Sequence, residues 1–169
     1  MPRTNKNRFY VIAHNIRSLF NVGSIFRTAD AFGVSKIYLT GYTPTPKLAK
    51  HRLKINKVAL GAEEFVGWEY KSSAIKLIRD LRLEGIKIIG LENNIKGSIS
   101  VSSRRAQTLI EVLKYGMALI LGEERKGINK KILQLCDKIV EIPIKGKKES
   151  LNVSVAFGIA AYEMSKWLN

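Results

Sequence analysis

The residues best suited to chemistry lie in three short segments. The last of them, PIKGKKESLNVSVA over residues 143–156, sets Lys145, Lys147, Lys148, Ser150 and Asn152 at the mouth of an apolar helix. A helix N-terminus offers free amide donors, and lysines beside it make a ready anion or carboxylate site. The plainer reading is a cap on Ser150, with Asn152 in the first turn and the lysines solvated. The middle segment, LILGEERKGI over 119–128, is a strand closed by a glycine turn, the usual setting of a phosphate loop. It fits neither familiar template. A Walker loop needs Lys-Ser/Thr after its second glycine, and here Gly127 is followed by Ile128; a dinucleotide fingerprint needs glycine where Glu124 stands. What remains is G-x-E-x-x-G, which on its own reads as a surface turn with solvated charges. The first segment, NIRSLFNVGSIFRTADAFG over 15–33, repeats Val22, Ile25, Phe26, Ala29 and Phe32 at helical spacing. Gly23, Ser24, Arg27 and Ala31 form a second stripe. Either Arg27 reaches across that small-residue floor toward an anion or a hydroxyl, or it pairs with Asp30 at i+3.

All three segments leave a strand. Apolar and β-branched runs predict strands over Arg8–His14, Lys36–Thr40, Ile86–Leu91, Met117–Leu121 and Lys138–Ile144. Helical periodicity predicts helices over Phe20–Phe32, Ser72–Glu84, Arg104–Lys114, Asn129–Cys136 and Leu151–Leu168. Residues 42–61, with two prolines and a dense basic run, read as a loop holding one short helix at most, and 92–102 stay unassigned. Strand and helix alternate, so the expected class is α/β with a mostly parallel sheet flanked by helices. In such sheets ligands bind beyond the carboxyl ends of the strands, where these segments lie.

Composition limits the partners. The 169 residues fit a single domain with no separate RNA-binding extension, and 46% apolar content argues against disorder. Lys and Arg number 29 against 14 Asp and Glu, a net charge of +15 and a pI near 10.0. That field attracts nucleic acid first. No apolar run is long enough to span a bilayer, and MPRTNKNRFYVIA has no apolar core with a cleavage site, so neither membrane nor secretion is expected. One cysteine, Cys136, cannot form an internal disulfide, which favours the cytoplasm. His14, His51 and Cys136 show no ligand or nucleophile pattern, so no metal is expected. From Leu151 to Tyr162 only Asn152, Ser154 and Gly158 are not apolar. A helix so widely apolar is buried on several sides, which predicts a homodimer interface.

Taken together the segments resemble the SpoU/TrmH family of RNA ribose methyltransferases, within the SPOUT superfamily of knotted enzymes. The residues that carry the likeness are Asn21-Val-Gly23-Ser-Ile-Phe-Arg27-Thr-Ala29, Leu121-Gly122-Glu-Glu124-Arg-Lys-Gly127-Ile128 and Ile142-Pro143-Ile-Lys-Gly146-Lys-Lys-Glu-Ser150-Leu-Asn152-Val-Ser-Val-Ala156. Lys57-Val-Ala-Leu-Gly-Ala-Glu63 is similar to a family feature too.

The resemblance implies a deep C-terminal trefoil knot, an obligate dimer, and S-adenosylmethionine as methyl donor to a ribose 2′-hydroxyl of tRNA or rRNA. It places Leu121, Gly122, Glu124, Gly127, Ile142, Ile144 and Leu151 around the cofactor. It assigns Arg27, Asn21, Glu124, Ser150 and Asn152 to the catalytic centre. A guanidinium is always protonated near neutrality, so Arg27 is better cast as a phosphate clamp than as a base. RNA is expected along Lys47, Lys50, Arg52, Lys54 and Lys57, with Arg3, Lys6 and Arg8 nearby and Arg125 beside the second motif. A compact chain suits a small RNA such as tRNA. A non-catalytic RNA-binding protein and a base-nitrogen methyltransferase are the competing readings.

Overall fold

A computed structural model describes residues 8–103 and 116–166. The helix expected over Arg104–Lys114 lies outside them, as do Arg3, Lys6 and residues 167–169. The chain runs β1 (Phe9–His14), α1 (Leu19–Ala31), β2 (Lys36–Thr40), α2 (Ala49–Ala59), α3 (Ala62–Phe65), β3 (Trp68–Lys71), α4 (Ala74–Leu83) and β4 (Lys87–Leu91). It continues through β5 (Ile99–Ser100), β6 (Met117–Leu121), α5 (Lys130–Leu133), β7 (Lys138–Glu141) and α6 (Val153–Ser165). The described strands form one sheet in the order β3-β2-β1-β6-β4-β7-β5, and every neighbouring pair is parallel.

Parallel strands need helices on both faces, and the side-chain alternation shows which helix covers which. Phe9, Val11 and Ala13 of β1 and Met117, Leu119 and Leu121 of β6 pack into one core with α1, α2 and α6. Their alternate neighbours Ile12, Ala118 and Ile120 pack into the other with Leu77, Ile78 and Leu81 of α4. Central β6 is buried along its whole length. Register pairs His14 with Thr40 and Ala13 with Leu121, so β1, β2 and β6 deliver their exits to one edge.

Several boundaries differ from the sequence reading. The basic stretch 42–61 is not mainly loop: α2 takes eleven residues of it. Ile55 and Ala59, one turn apart, press into α1 at Gly23, and this packing outweighs a poor local signal. The Lys57–Glu63 feature runs from the last turn of α2 through a two-residue turn into the start of α3. Leu60 and Gly61 there take left-handed backbone, φ 52° and 92°, and Asn56 donates to buried Glu63 at 2.8 Å. Strand β3 and the two-residue β5 went unread, being short pieces at the sheet edges. The last strand ends at Glu141 rather than Ile144, the short helix shrinks to Lys130–Leu133, and the final helix starts at Val153 instead of Leu151.

Gly23 also corrects a functional expectation. A Cβ there would sit 2.6 Å from the Ile55 carbonyl oxygen and 3.0 Å from Val58 Cβ. The small-residue stripe is therefore filled by α2, and no open floor lies before Arg27. Gly23→Ala must push backbone from backbone. Overpacking of about 1–3 kcal/mol outweighs the helix-propensity gain of up to about 1 kcal/mol. Thermal unfolding should show a midpoint several degrees lower; an unchanged or raised midpoint would mean α1 and α2 separate freely.

Candidate functional site

Beyond the carboxyl ends of β4, β6 and β7 lies a cleft of about 240 Å³. Leu91, Leu121, Ile142 and Leu151 supply apolar wall, and Gly122 through Gly127 form one side. That turn is tight because two glycines allow it. Glu123 and Gly127 pair across it as an isolated bridge, and a Cβ on Gly122 would meet Gly127 and Ile128 backbone at 2.4–2.7 Å. Gly127 itself has φ 65°, a left-handed conformation that glycine adopts without strain.

Inside the turn, Glu124 reaches away from solvent to the start of α1. Its carboxylate accepts from the backbone N–H of Arg17 and of Ser18, each at 3.2 Å, and from Asn21 Nδ2 at 3.0 Å. The Asn21 Oδ1 in turn accepts from Asn152 Nδ2 at 3.1 Å. The Asn152 Oδ1 then accepts from Ser154 N at 2.9 Å and Val155 N at 3.4 Å, capping α6. One polar chain thus joins all three motif segments. Burial pushes the Glu124 carboxyl up, but hydrogen bonds from Asn21 and from the N–H groups of Glu124, Arg17 and Ser18 outweigh it. The net result lies below the usual carboxylate range.

Asn152 is therefore the N-cap, and the expectation that Ser150 caps the helix is corrected. Asn152 sits just before the first helical residue, where its side chain meets the second and third N–H groups, the standard capping geometry. Ser150 is exposed and lines the cleft instead. Of the residues expected around a cofactor, Leu121, Gly122, Glu124, Gly127, Ile142 and Leu151 line the cleft, whereas Ile144 does not. Arg27 is also outside it. Six residues beyond Asn21 on α1, it points from a different face, exposed and with no ion pair or hydrogen bond to any described residue. No Asp30 partner holds it. Lys47, Lys50, Arg52, Lys54 and Lys57 are all exposed along or just before α2, apart from the cleft, and Arg125 is exposed at its rim.

Two cleft residues were not read from the sequence. Glu92, at the exit of β4, accepts from Ile128 N at 2.8 Å and so braces the glycine turn. Asn93 makes a two-way bond with the Ile142 backbone, donating at 2.9 Å and accepting at 3.1 Å, which ties β4 to the third motif. Both fell in a stretch without periodicity, and only position after a strand marks them.

The cleft has a charge of its own. Glu92, Glu123, Glu124 and Glu149 line it against Arg125 and Lys126, so an acidic hollow sits in a chain of net charge +15. It suits a small cationic ligand better than a polyphosphate. Among the described residues no group of three His, Cys, Asp or Glu could hold a metal ion. Half-buried His14 bonds Thr40 Oγ1 at 2.9 Å, and burial lowers its pKa. Burial pushes the Cys136 thiol up to about 12, so it stays protonated and is a poor nucleophile. No helix among the described residues is long and apolar enough to cross a membrane.

Comparison with known proteins adds to this geometry. The SpoU rRNA Methylase family model matches residues 8–162. The chain is 31% identical over 163 residues to the 23S rRNA (guanosine-2'-O-)-methyltransferase RlmB of Coxiella burnetii, covering 92% of this chain and 57% of that one. Its fold matches an AdoMet-bound rRNA methyltransferase from Sinorhizobium meliloti with a TM-score of 0.81 at 25% identity, covering 95% of this chain and 57% of that one. It matches the A. aeolicus TrmH/SpoU tRNA modifying enzyme with a TM-score of 0.77 at 26% identity, covering 96% of this chain and 77% of that one. The chain thus spans somewhat over half the length of the curated relative.

The lowered Glu124 pKa has a consequence for stability. A carboxylate depressed by folding stabilises the fold fully above the usual carboxylate range, and that contribution is lost as pH falls through the lowered value. Glu124→Gln keeps the shape but removes the charge, weakening bonds worth about 1.5–3 kcal/mol each to a charged acceptor. Its unfolding midpoint should lie below wild type at pH 7, and the two should converge toward pH 3. Parallel curves across that range would show that the carboxylate charge does not hold the turn.

Proposed function

This chain belongs to the SpoU rRNA methylase family, and from that premise we propose that it transfers a methyl group from S-adenosylmethionine to a ribose 2′-hydroxyl of RNA. The observation that carries the reading is the Glu124–Asn21–Asn152 chain, which draws the three motifs together around one cleft. The residues present fit the cofactor. Leu121, Ile142 and Leu151 offer an apolar wall to the adenine, backbone groups of the Gly122 turn offer polar contacts, and the glutamates face a cation. When bound, the cofactor supplies an electrophilic methyl on a sulfonium.

The protein's task is then to place the hydroxyl and ease loss of its proton. Arg27, without a partner among the described residues, is assigned to an RNA phosphate, where a fork of donors fixes the strand and the charge lowers the hydroxyl pKa. Glu124, Asn21 and Asn152 act as positioning residues, and Ser150 lines the cleft. Lys47, Lys50, Arg52, Lys54 and Lys57 offer the RNA a basic track over α2, with Arg125 at the rim. Both rRNA and tRNA remain substrates of this proposal, since the named relatives act on one or the other. The segment from Gly122 to Asn152 is taken to form the knot that the family resemblance implies. The cytoplasm belongs to the proposal too, because a single cysteine, Cys136, can form no disulfide within the chain.

A homodimer belongs to the same proposal. One face of α6 is buried through Phe157, Ala160, Ala161 and Met164, while Val155, Ile159 and Tyr162 stand 51%, 38% and 53% exposed on the other, with Phe20 at 52% on α1. A twin copy would cover that stripe. Sedimentation should give about twice the 19.0 kDa chain mass; an active monomer would remove the dimer from the account.

Single-turnover methyl transfer to in-vitro transcribed 23S rRNA and tRNA, with cofactor saturating, tests the function. Wild type should label ribose oxygen, and Arg27→Ala should nearly abolish transfer with cofactor binding intact. Arg27→Lys keeps charge but loses the bidentate fork, so a clamp predicts a large loss at every pH from 7 to 10. Activity in the lysine variant that climbs with pH would instead make Arg27 a base. Full activity in the alanine variant, or label on a base nitrogen, would sink the assignment.

A further inference from the structure

The side chains of Arg17 and Tyr42 meet at the carboxyl ends of β1 and β2, on the rim of the cleft. Arg17 Nη2 lies 3.5 Å from Glu123 Oε1, its Nε donates to the Tyr42 hydroxyl at 3.5 Å, and its Cζ stands 5.6 Å from the Tyr42 ring centroid. The hydroxyl and Glu123 both raise the guanidinium pKa, so the charge is permanent. Tyr42 is held from behind. Its N–H donates to Asn15 Oδ1 at 3.2 Å, with Asn15 and Gly41 in left-handed backbone at φ 58° and 65°. Yet the pair faces water: Tyr42 is 51% exposed and the Arg17 side chain 61%.

The Arg17 guanidinium pairs with Glu123, but that pair explains neither the Tyr42 ring beside it nor the exposure of both side chains. Arg17 serves the Glu124 lock through its backbone N–H, which any residue but proline would supply. The guanidinium and the phenol are surplus to it. We propose that Arg17 and Tyr42 form a stacking platform for the unpaired base of the RNA nucleotide presented to the cleft, an inference that rests on the RNA reading above. A planar cation fixed beside an aromatic ring is the surface on which splayed-out RNA bases stack. With its charge already shared with Glu123, Arg17 is suited to face contact more than to a phosphate. The Tyr42 oxygen accepts from Arg17, which leaves its proton to donate to an acceptor on the base edge.

The test needs no knowledge of the natural target. Fluorescence anisotropy compares a short single-stranded RNA with the same strand carrying abasic riboses, for wild type, Arg17→Ala, Tyr42→Ala and Tyr42→Phe. Wild type should bind the base-bearing strand about 5- to 100-fold more tightly, the scale of one stacked base. The two alanine variants should lose that preference while keeping cofactor affinity and unfolding midpoint, and Tyr42→Phe should keep most of it. Equal binding of both strands by wild type, an undiminished preference in the alanine variants, or a shift confined to cofactor affinity would each overturn the platform. Base preference that depends on Arg17 and Tyr42 in a protein that methylates no RNA would uphold the platform and remove the methyl-transfer reading instead.

Discussion

The Glu124 carboxylate is the one charge around which the site is assembled. It leaves a turn after β6, receives the two N–H groups just before α1, and holds Asn21 so that its other end can grip Asn152. A carboxylate at a helix N-terminus is favoured by the orphan amide donors and by the helix dipole together. Neither Asn21 nor Asn152 could fill the place, since each must present a donor to one neighbour and an acceptor to the next. The amide side chain carries both on one short, flat, uncharged group. The order carboxylate, amide, amide, helix start is thus set by donor and acceptor count.

That lock works only because the sheet brings the exits level. Parallel pairing of β1 with both β2 and β6 places Ala13, Leu39 and Leu121 in one row. A slip of one residue in β6 would turn Leu119 and Leu121 into the opposite core and carry Glu124 out of reach. Two well-filled cores, one on each face, prevent the slip. Charge then separates by location. The glutamates gather in the cleft while the exposed lysines and arginine of α2 face outward, so on the proposed reading a cationic cofactor and an anionic RNA find different surfaces of one basic chain.

The strands and long helices were legible because β1, β2, β4 and β6 are apolar runs and α1 and α4 carry clear periodicity. The three motif segments were legible from residue type and spacing, and six of the seven residues expected around a cofactor do line the cleft. What escaped was decided by tertiary contact. Helix α2 buries only Ile55 and Ala59, too little to mark it in a basic stretch, and edge strand β3 is four half-exposed residues. Ser150 and Asn152 are both good caps by type; only backbone geometry shows that the helix begins after Asn152. Gly23 looked like free space on a helix face, when its missing side chain is what lets α2 approach. Glu92 and Asn93 act on backbone groups far along the chain, which no local pattern records.

The third motif has a further constraint that follows from its two fixed ends. Asn93 holds Ile142 from both sides, and Asn21 holds Asn152. Between them Pro143, Lys145 and Gly146 through Ser150 are exposed, and a Cβ on Gly146 would meet nothing within 4 Å. The segment is therefore pinned at its ends and unpacked in its middle, where Glu149 and Ser150 still line the cleft. Because Asn152 also caps α6, whatever orders this segment acts on the first turn of the helix whose outer face bears Val155 and Ile159. Cofactor and dimer, as proposed, would then share a single residue's hydrogen bonds, and loss of the Asn152 amide would loosen both at once.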